Sequence, residues 1–65
     1  MKYEIRLRGS VGPAVLQSFE GLETRVEPAE TLLHGPVEDQ AALHGLLQRI
    51  EAMGLELIEV RRLPD

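Results

Sequence analysis

Between Lys2 and Arg8 the chain alternates strictly. Tyr3, Ile5 and Leu7 fall on one side, and Lys2, Glu4, Arg6 and Arg8 on the other. A period of two residues describes a strand with one buried and one wet face. The chain is thereby committed to a sheet, and an apolar sheet face must be covered by another layer. The cover is written further on in a different period. Leu43, Leu46, Leu47, Ile50 and Met53 recur at steps of three and four, a stripe about 120° wide on an α-helix.

The segments between these two follow from their turn residues. Gly9 and Ser10 end the first strand. Pro13 follows Gly12 at a first helical position, and the short helix it opens runs to Phe19, burying Val15, Leu16 and Phe19 before Gly21 stops it. Leu22, Thr24 and Val26 then alternate with Glu23, Arg25 and Glu27, and after a turn at Pro28 and Ala29 a run from Glu30 to His34 returns as the second arm of a hairpin. The last apolar run, Leu55 to Leu63, predicts a fourth strand with Ile58 and Val60 on one face and Glu59 and Arg61 on the other. The order strand, helix, strand, strand, helix, strand (βαββαβ) is the ferredoxin-like split βαβ arrangement of the α+β class. In it, two helices cover one face of a four-stranded antiparallel sheet whose first and third strands are central. The open face is then expected to carry Glu4, Arg6, Arg8, Glu23, Arg25, Glu27, Leu32, His34, Glu59 and Arg61. No repeat, low-complexity tract or linker interrupts the pattern, so a single ferredoxin-like domain is expected over residues 1–65.

A chain of 65 residues buries only about 60% of the surface it exposes when unfolded. It has no cysteine, and its two histidines cannot build a structural zinc site. Tight packing or self-association is left as the means of support. The absence of cysteine fits a reducing compartment, and MKYEIRLRG lacks the apolar run of a signal peptide, so a cytoplasmic protein is expected. No segment approaches the roughly 20 apolar residues of a membrane span. Eleven acidic residues against seven basic give a net charge of -4, which repels a phosphate backbone, and Tyr3 and Phe19 are the only aromatics. Nucleic acid is accordingly not expected as a partner.

The second helix is expected from about Val37 to Met53, with Glu38 and Asp39 in its first turn and Gly54 just past its end. Its outward face carries Ala41, Gly45, Gln48 and Ala52, with His44 on the shoulder. Exposed helix positions are ordinarily filled by Lys or Glu, and a mid-helix glycine costs roughly 0.8–1 kcal/mol relative to Ala. A face of small residues lets another backbone approach closely, so Ala41, His44, Gly45, Gln48 and Ala52 are the expected contact surface for a second copy or another protein. The competing reading is tolerated alanine beside one suboptimal glycine. Asp39 falls by angle on the core side at the helix start, where a carboxylate needs partners. A structural role for Asp39, with Gln40 beside it, outweighs a catalytic one.

Chemistry-bearing residues are sparse. His34 is expected on the sheet and His44 on the helix layer, so the two histidines are not expected to meet, and an enzyme using Asp39 and His44 as a proton-transfer pair ranks third among the readings. The loop from Arg8 to Pro13 places Gly9, Ser10 and Gly12 before a helix start, where backbone N–H groups can receive an anion. Pro13 removes one donor, however, and no lysine follows. No catalytic constellation is visible, and neither enzyme activity nor a cofactor or metal is expected.

The element order resembles acylphosphatase, metallochaperone, RNA-recognition and amino-acid-binding ACT domains. The chain has no cysteine pair for a soft metal, no aromatic strand motif for RNA and no arginine after Gly12 for an acylphosphate. Gly12-Pro13-Ala14-Val15-Leu16 is similar to the glycine-led turn of ACT domains, and that resemblance implies a small-molecule sensor with its ligand near Gly9 to Pro13. A closer resemblance rests on Gly35-Pro36-Val37, on Asp39-Gln40-Ala41-Ala42-Leu43-His44-Gly45-Leu46-Leu47, and on Ile50 and Gly54-Leu55, together with Tyr3-Glu4-Ile5-Arg6 and Phe19-Glu20-Gly21-Leu22. These strings are similar to a group of short, uncharacterised bacterial proteins. That resemblance implies no activity, and the group's tryptophans ahead of the phenylalanine are missing here. The expectation is a non-enzymatic, self-associating interaction or regulatory module, dimeric or bound to another protein, with the ACT-like sensor as the alternative.

Overall fold

A computed structural model describes residues 1–64. Strand β1 (Lys2–Arg8) leads into a single α-helical turn, α1 (Pro13–Leu16), which tightens into a 3-10 turn over Gln17–Phe19. Strands β2 (Glu23–Val26) and β3 (Glu30–Pro36) form a hairpin, helix α2 (Gln40–Ala52) crosses the sheet, and β4 (Leu57–Leu63) closes it. The four strands lie in the order β2-β3-β1-β4, every pair antiparallel, with the first and third strands central as expected.

Alternation in β1 sets the layers. Tyr3, Ile5 and Leu7 are buried and stand in register with Gly35, Leu33 and Thr31 of β3. Phe19 from the 3-10 turn and Leu43, Leu46 and Ile50 from α2 join the same cluster, so both helical segments cover one face. Val15 and Leu16 pack against this core without being fully buried. The other face carries the charged residues expected of it. There Leu32 is buried, standing in register between Arg6 on β1 and Arg25 on β2, whose aliphatic stems can shield it.

Three expectations need correction. Helix α2 begins at Gln40 and not near Val37, because β3 runs on to Pro36 and the Val37 N–H donates to the Met1 carbonyl at 2.6 Å. Val37 is therefore an extended residue whose side chain reaches the core ahead of the helix. Met53 is 37% exposed and lies outside the core, because the helix has already ended at Ala52 and Met53 is its C-cap. Gly54, with φ of 75°, follows as the left-handed residue. Its N–H donates to the Glu51 carbonyl, while the Leu55 N–H donates to that of Ile50, a Schellman closure. Finally, the pairing of β4 slips. Arg6 stands opposite Glu59 and Leu7 opposite Leu57, so Ile58 is the extra residue of a bulge and is 43% exposed, while Val60 alone faces Ile5.

Candidate functional site

Asp39 is the N-cap of α2. Its backbone is extended, and its Oδ1 accepts the Ala42 N–H at 2.8 Å, satisfying one of the donors that every helix start leaves open. The side chain is exposed and lies outside the core stripe. Gln40 is the first helical residue and is also exposed.

From that start the helix turns Leu43, Leu46 and Ile50 into the core and leaves Ala41, His44, Gly45, Gln48 and Ala52 exposed together on its outer side. A Cβ placed on Gly45 would meet no atom within 4 Å beyond the helix's own backbone. Nothing inside the protein therefore requires glycine there. Gly35 contrasts with it. Its φ is 153°, and a Cβ would lie 3.1 Å from Leu22 Cδ2 and 3.4 Å from Leu22 Cα, so the close passage of β3 beside Leu22 demands glycine.

His34 projects from the open face of the sheet, with its Nε2 3.2 Å from Glu23 Oε2, whereas His44 belongs to the helix layer. The structure does not bring the two histidines and Asp39 together. The loop carrying Gly9, Ser10 and Gly12 makes several internal bonds. Ser10 Oγ donates to the Glu27 carbonyl at 2.7 Å, the Gly9 N–H donates to the Ala29 carbonyl at 2.8 Å, and the Gly12 carbonyl accepts from Val15 and Leu16. These bonds tie the end of β1 to the β2–β3 turn. No side-chain signal in the sequence marked that tie.

Among the described residues, depressions open beside Lys2, Gly21 and His34, between Gly21–Leu22 and α2, and beside Gln48 and Ala52, and none of these is lined by Gly9, Ser10 or Gly12. One of about 330 Å³ lies between Gly21–Leu22 and α2. Leu22, Val37 and Leu46 contribute to its lining, as do the charged Glu20, Glu38 and Arg49. Arg49 also places its guanidinium carbon 5.9 Å from the centre of the Phe19 ring, a cation–π contact that covers the edge of the core.

On the open face, opposite charges are interleaved. Arg6 donates to Glu30 at 2.7 Å, with Glu59 at 3.8 Å and Glu4 at 3.9 Å. Arg8 pairs with Glu56 at 2.9 Å, and Arg61 bonds Glu4. The Arg6 pKa is raised, first by the hydrogen bond from its guanidinium to Glu30 and by that carboxylate's charge. Arg6, Arg8 and Arg61 are thus each matched by a carboxylate. Among the described residues no group of three or more His, Asp or Glu side chains is arranged to hold a metal ion, and no helix is long and apolar enough to cross a membrane.

These features define a small α+β domain, a split βαβ unit with a charged open sheet face and a helix layer whose outer side is small and nearly uncharged. The chain belongs to a family described as a domain of unknown function (DUF8691), which matches residues 2–61. Neither a curated protein nor a solved structure matches it.

Proposed function

We propose that the protein is a non-enzymatic interaction module of the bacterial cytoplasm that self-associates and offers the outer face of α2 to a partner protein. The observation that carries the reading is Gly45. It lies in the middle of a 13-residue helix, is exposed, and has open space where a side chain would stand. An intrinsic loss of roughly 0.8–1 kcal/mol has no compensation within the chain, and a backbone packed against that face from outside would supply it. Ala41 and Ala52 keep the approach open on either side, while His44 and Gln48 provide donors and acceptors at its rim.

Self-association rests on the small core and on the unpaired outer edges of β2 and β4. The pairing of Arg6, Arg8 and Arg61 with carboxylates argues against a nucleic-acid surface, since those three cations are already neutralised. Sedimentation across a wide concentration range tests association, and a monomer at every concentration overturns it. A photo-crosslinking residue at Gln48 tests the helix face in living cells. Adducts of defined mass are expected, and a complete lack of them would remove the case for contact there.

A further inference from the structure

We propose that self-association occurs by antiparallel pairing of β2 with β2 of a second copy, about a twofold axis through Thr24. This rests on the reading that the chain self-associates and names the surface that does it.

The argument begins with the direction of the backbone groups. The Glu27 and Glu30 N–H groups each donate to the other's carbonyl, at 2.8 and 3.4 Å, and the hairpin register continues through Arg25 opposite Leu32 and Glu23 opposite His34. In an antiparallel ladder the hydrogen-bonded pairs alternate with non-bonded ones. The odd-numbered residues of β2 therefore turn their N–H and C=O groups toward β3, and Thr24 and Val26 turn theirs outward. Among the described residues the edge has no neighbouring strand, and all four β2 residues are exposed.

A twofold axis perpendicular to the sheet passes through one residue of the edge: through Glu23 or Arg25 it sets like charges against each other, through Val26 it sets Thr24 opposite the partner's Pro28, which has no N–H to give, and through Thr24 it does neither. With Thr24 on the axis, each Thr24 N–H meets the other's carbonyl, and each Val26 N–H meets the carbonyl of the partner's Leu22. The side chains fall into register on both faces. On the open face, Glu23 lies opposite the partner's Arg25, twice by symmetry, in the non-bonded position where side chains come closest. Among the described residues Arg25 has no carboxylate within 4 Å, although the open-face arginines Arg6, Arg8 and Arg61 all do. On the helix-covered face, the two Thr24 side chains meet, and Val26, 46% exposed, is covered by the partner's Leu22. The other edge fits less well. In β4 the Ile58 bulge breaks the ladder, and Glu59 and Arg61 are already engaged with Arg6 and Glu4.

Charge exchange is the test. Glu23→Arg and Arg25→Glu each place like charges opposite one another across the axis, and each is expected to raise the dimer dissociation constant roughly tenfold or more. An equimolar mixture of the two single variants, and the double variant carrying both changes, restore opposite pairing and are expected to regain the dimer. Amide exchange at Thr24 and Val26 should slow as concentration rises, and Gly45→Arg should leave the dimer intact. A wild-type dimer that persists in both single variants and dissociates with Gly45→Arg overturns the β2 assignment while leaving self-association standing. A wild-type monomer at every concentration overturns both.

Discussion

Thr31 Oγ1 donates to the Gly9 carbonyl at 2.7 Å, and Thr31 is the one buried polar residue among those described. The bond closes the polar account of the core. It also links the end of β1 to β3 beside the turn that Ser10 and Gly9 hold. Thr31→Val keeps the shape and leaves the Gly9 carbonyl short of a donor, so it is expected to cost about 0.5–1.5 kcal/mol. In a domain of this size each kcal/mol lowers Tm by about 4–8 °C, which thermal denaturation resolves easily. An unchanged Tm would mean that the bond contributes nothing net.

Asp39 and Ala42 give a second prediction. Removing the capping oxygen with Asp39→Ala is expected to cost about 1 kcal/mol, whereas Asp39→Asn, which keeps an acceptor at the same place, should retain most of the stability. Urea denaturation with a common slope separates the two variants. Equal losses for both would point to the charge and not to the cap.

The elements legible in the sequence were those whose signals are local. Seven alternating residues defined β1 to both ends, Gly54 marked the end of α2, and the core stripe was correct at Leu43, Leu46 and Ile50. The failures arose where a residue's fate depends on a distant strand. Ile58 leaves the core because β4 takes on an extra residue against Arg6 and Leu7, which only the pairing partner decides. Val37 looks helical by spacing, yet its N–H is bonded to the Met1 carbonyl just past the end of β3 and ahead of the helix. The small face of α2 could be read from a helical wheel alone. The match of Glu23 with Arg25 across an axis could not, because it needs the direction of each β2 amide, and that follows from the hairpin register.

Gly35 supplies a third prediction. Its φ of 153° and the 3.1 Å approach to Leu22 act together, so Gly35→Ala must either strain the backbone or push Leu22 away from the core. A loss of roughly 1–3 kcal/mol is expected. Gly45→Ala, by contrast, should raise Tm in a sample kept monomeric by dilution, since nothing within 4 Å obstructs the added methyl. Opposite signs at two exchanges of the same kind would separate glycine required by the fold from glycine retained for contact. A loss at Gly45 under these conditions would mean that an internal contact uses the site after all.

Arg6 stands among Glu4, Glu30 and Glu59, with its side chain 32% exposed. Its raised pKa means that folding favours the charged form, by way of Glu30 first, and burial opposes this only in part. The sign of the linkage follows. The stabilisation is fully present below the ordinary arginine value and is lost only as pH climbs through the raised one, above any pH at which a protein is usually handled. Stability should therefore be insensitive to this group between neutral and mildly alkaline pH, and substitution is the usable probe. Arg6→Met keeps an apolar stem beside Leu32 and leaves the three carboxylates facing one another. Its Tm should fall below that of the wild type in dilute buffer. The gap should narrow in about 1 M salt, where the screening length shrinks to about 3 Å. A gap of equal size at both salt concentrations would instead assign the role of Arg6 to the packing of its stem over Leu32.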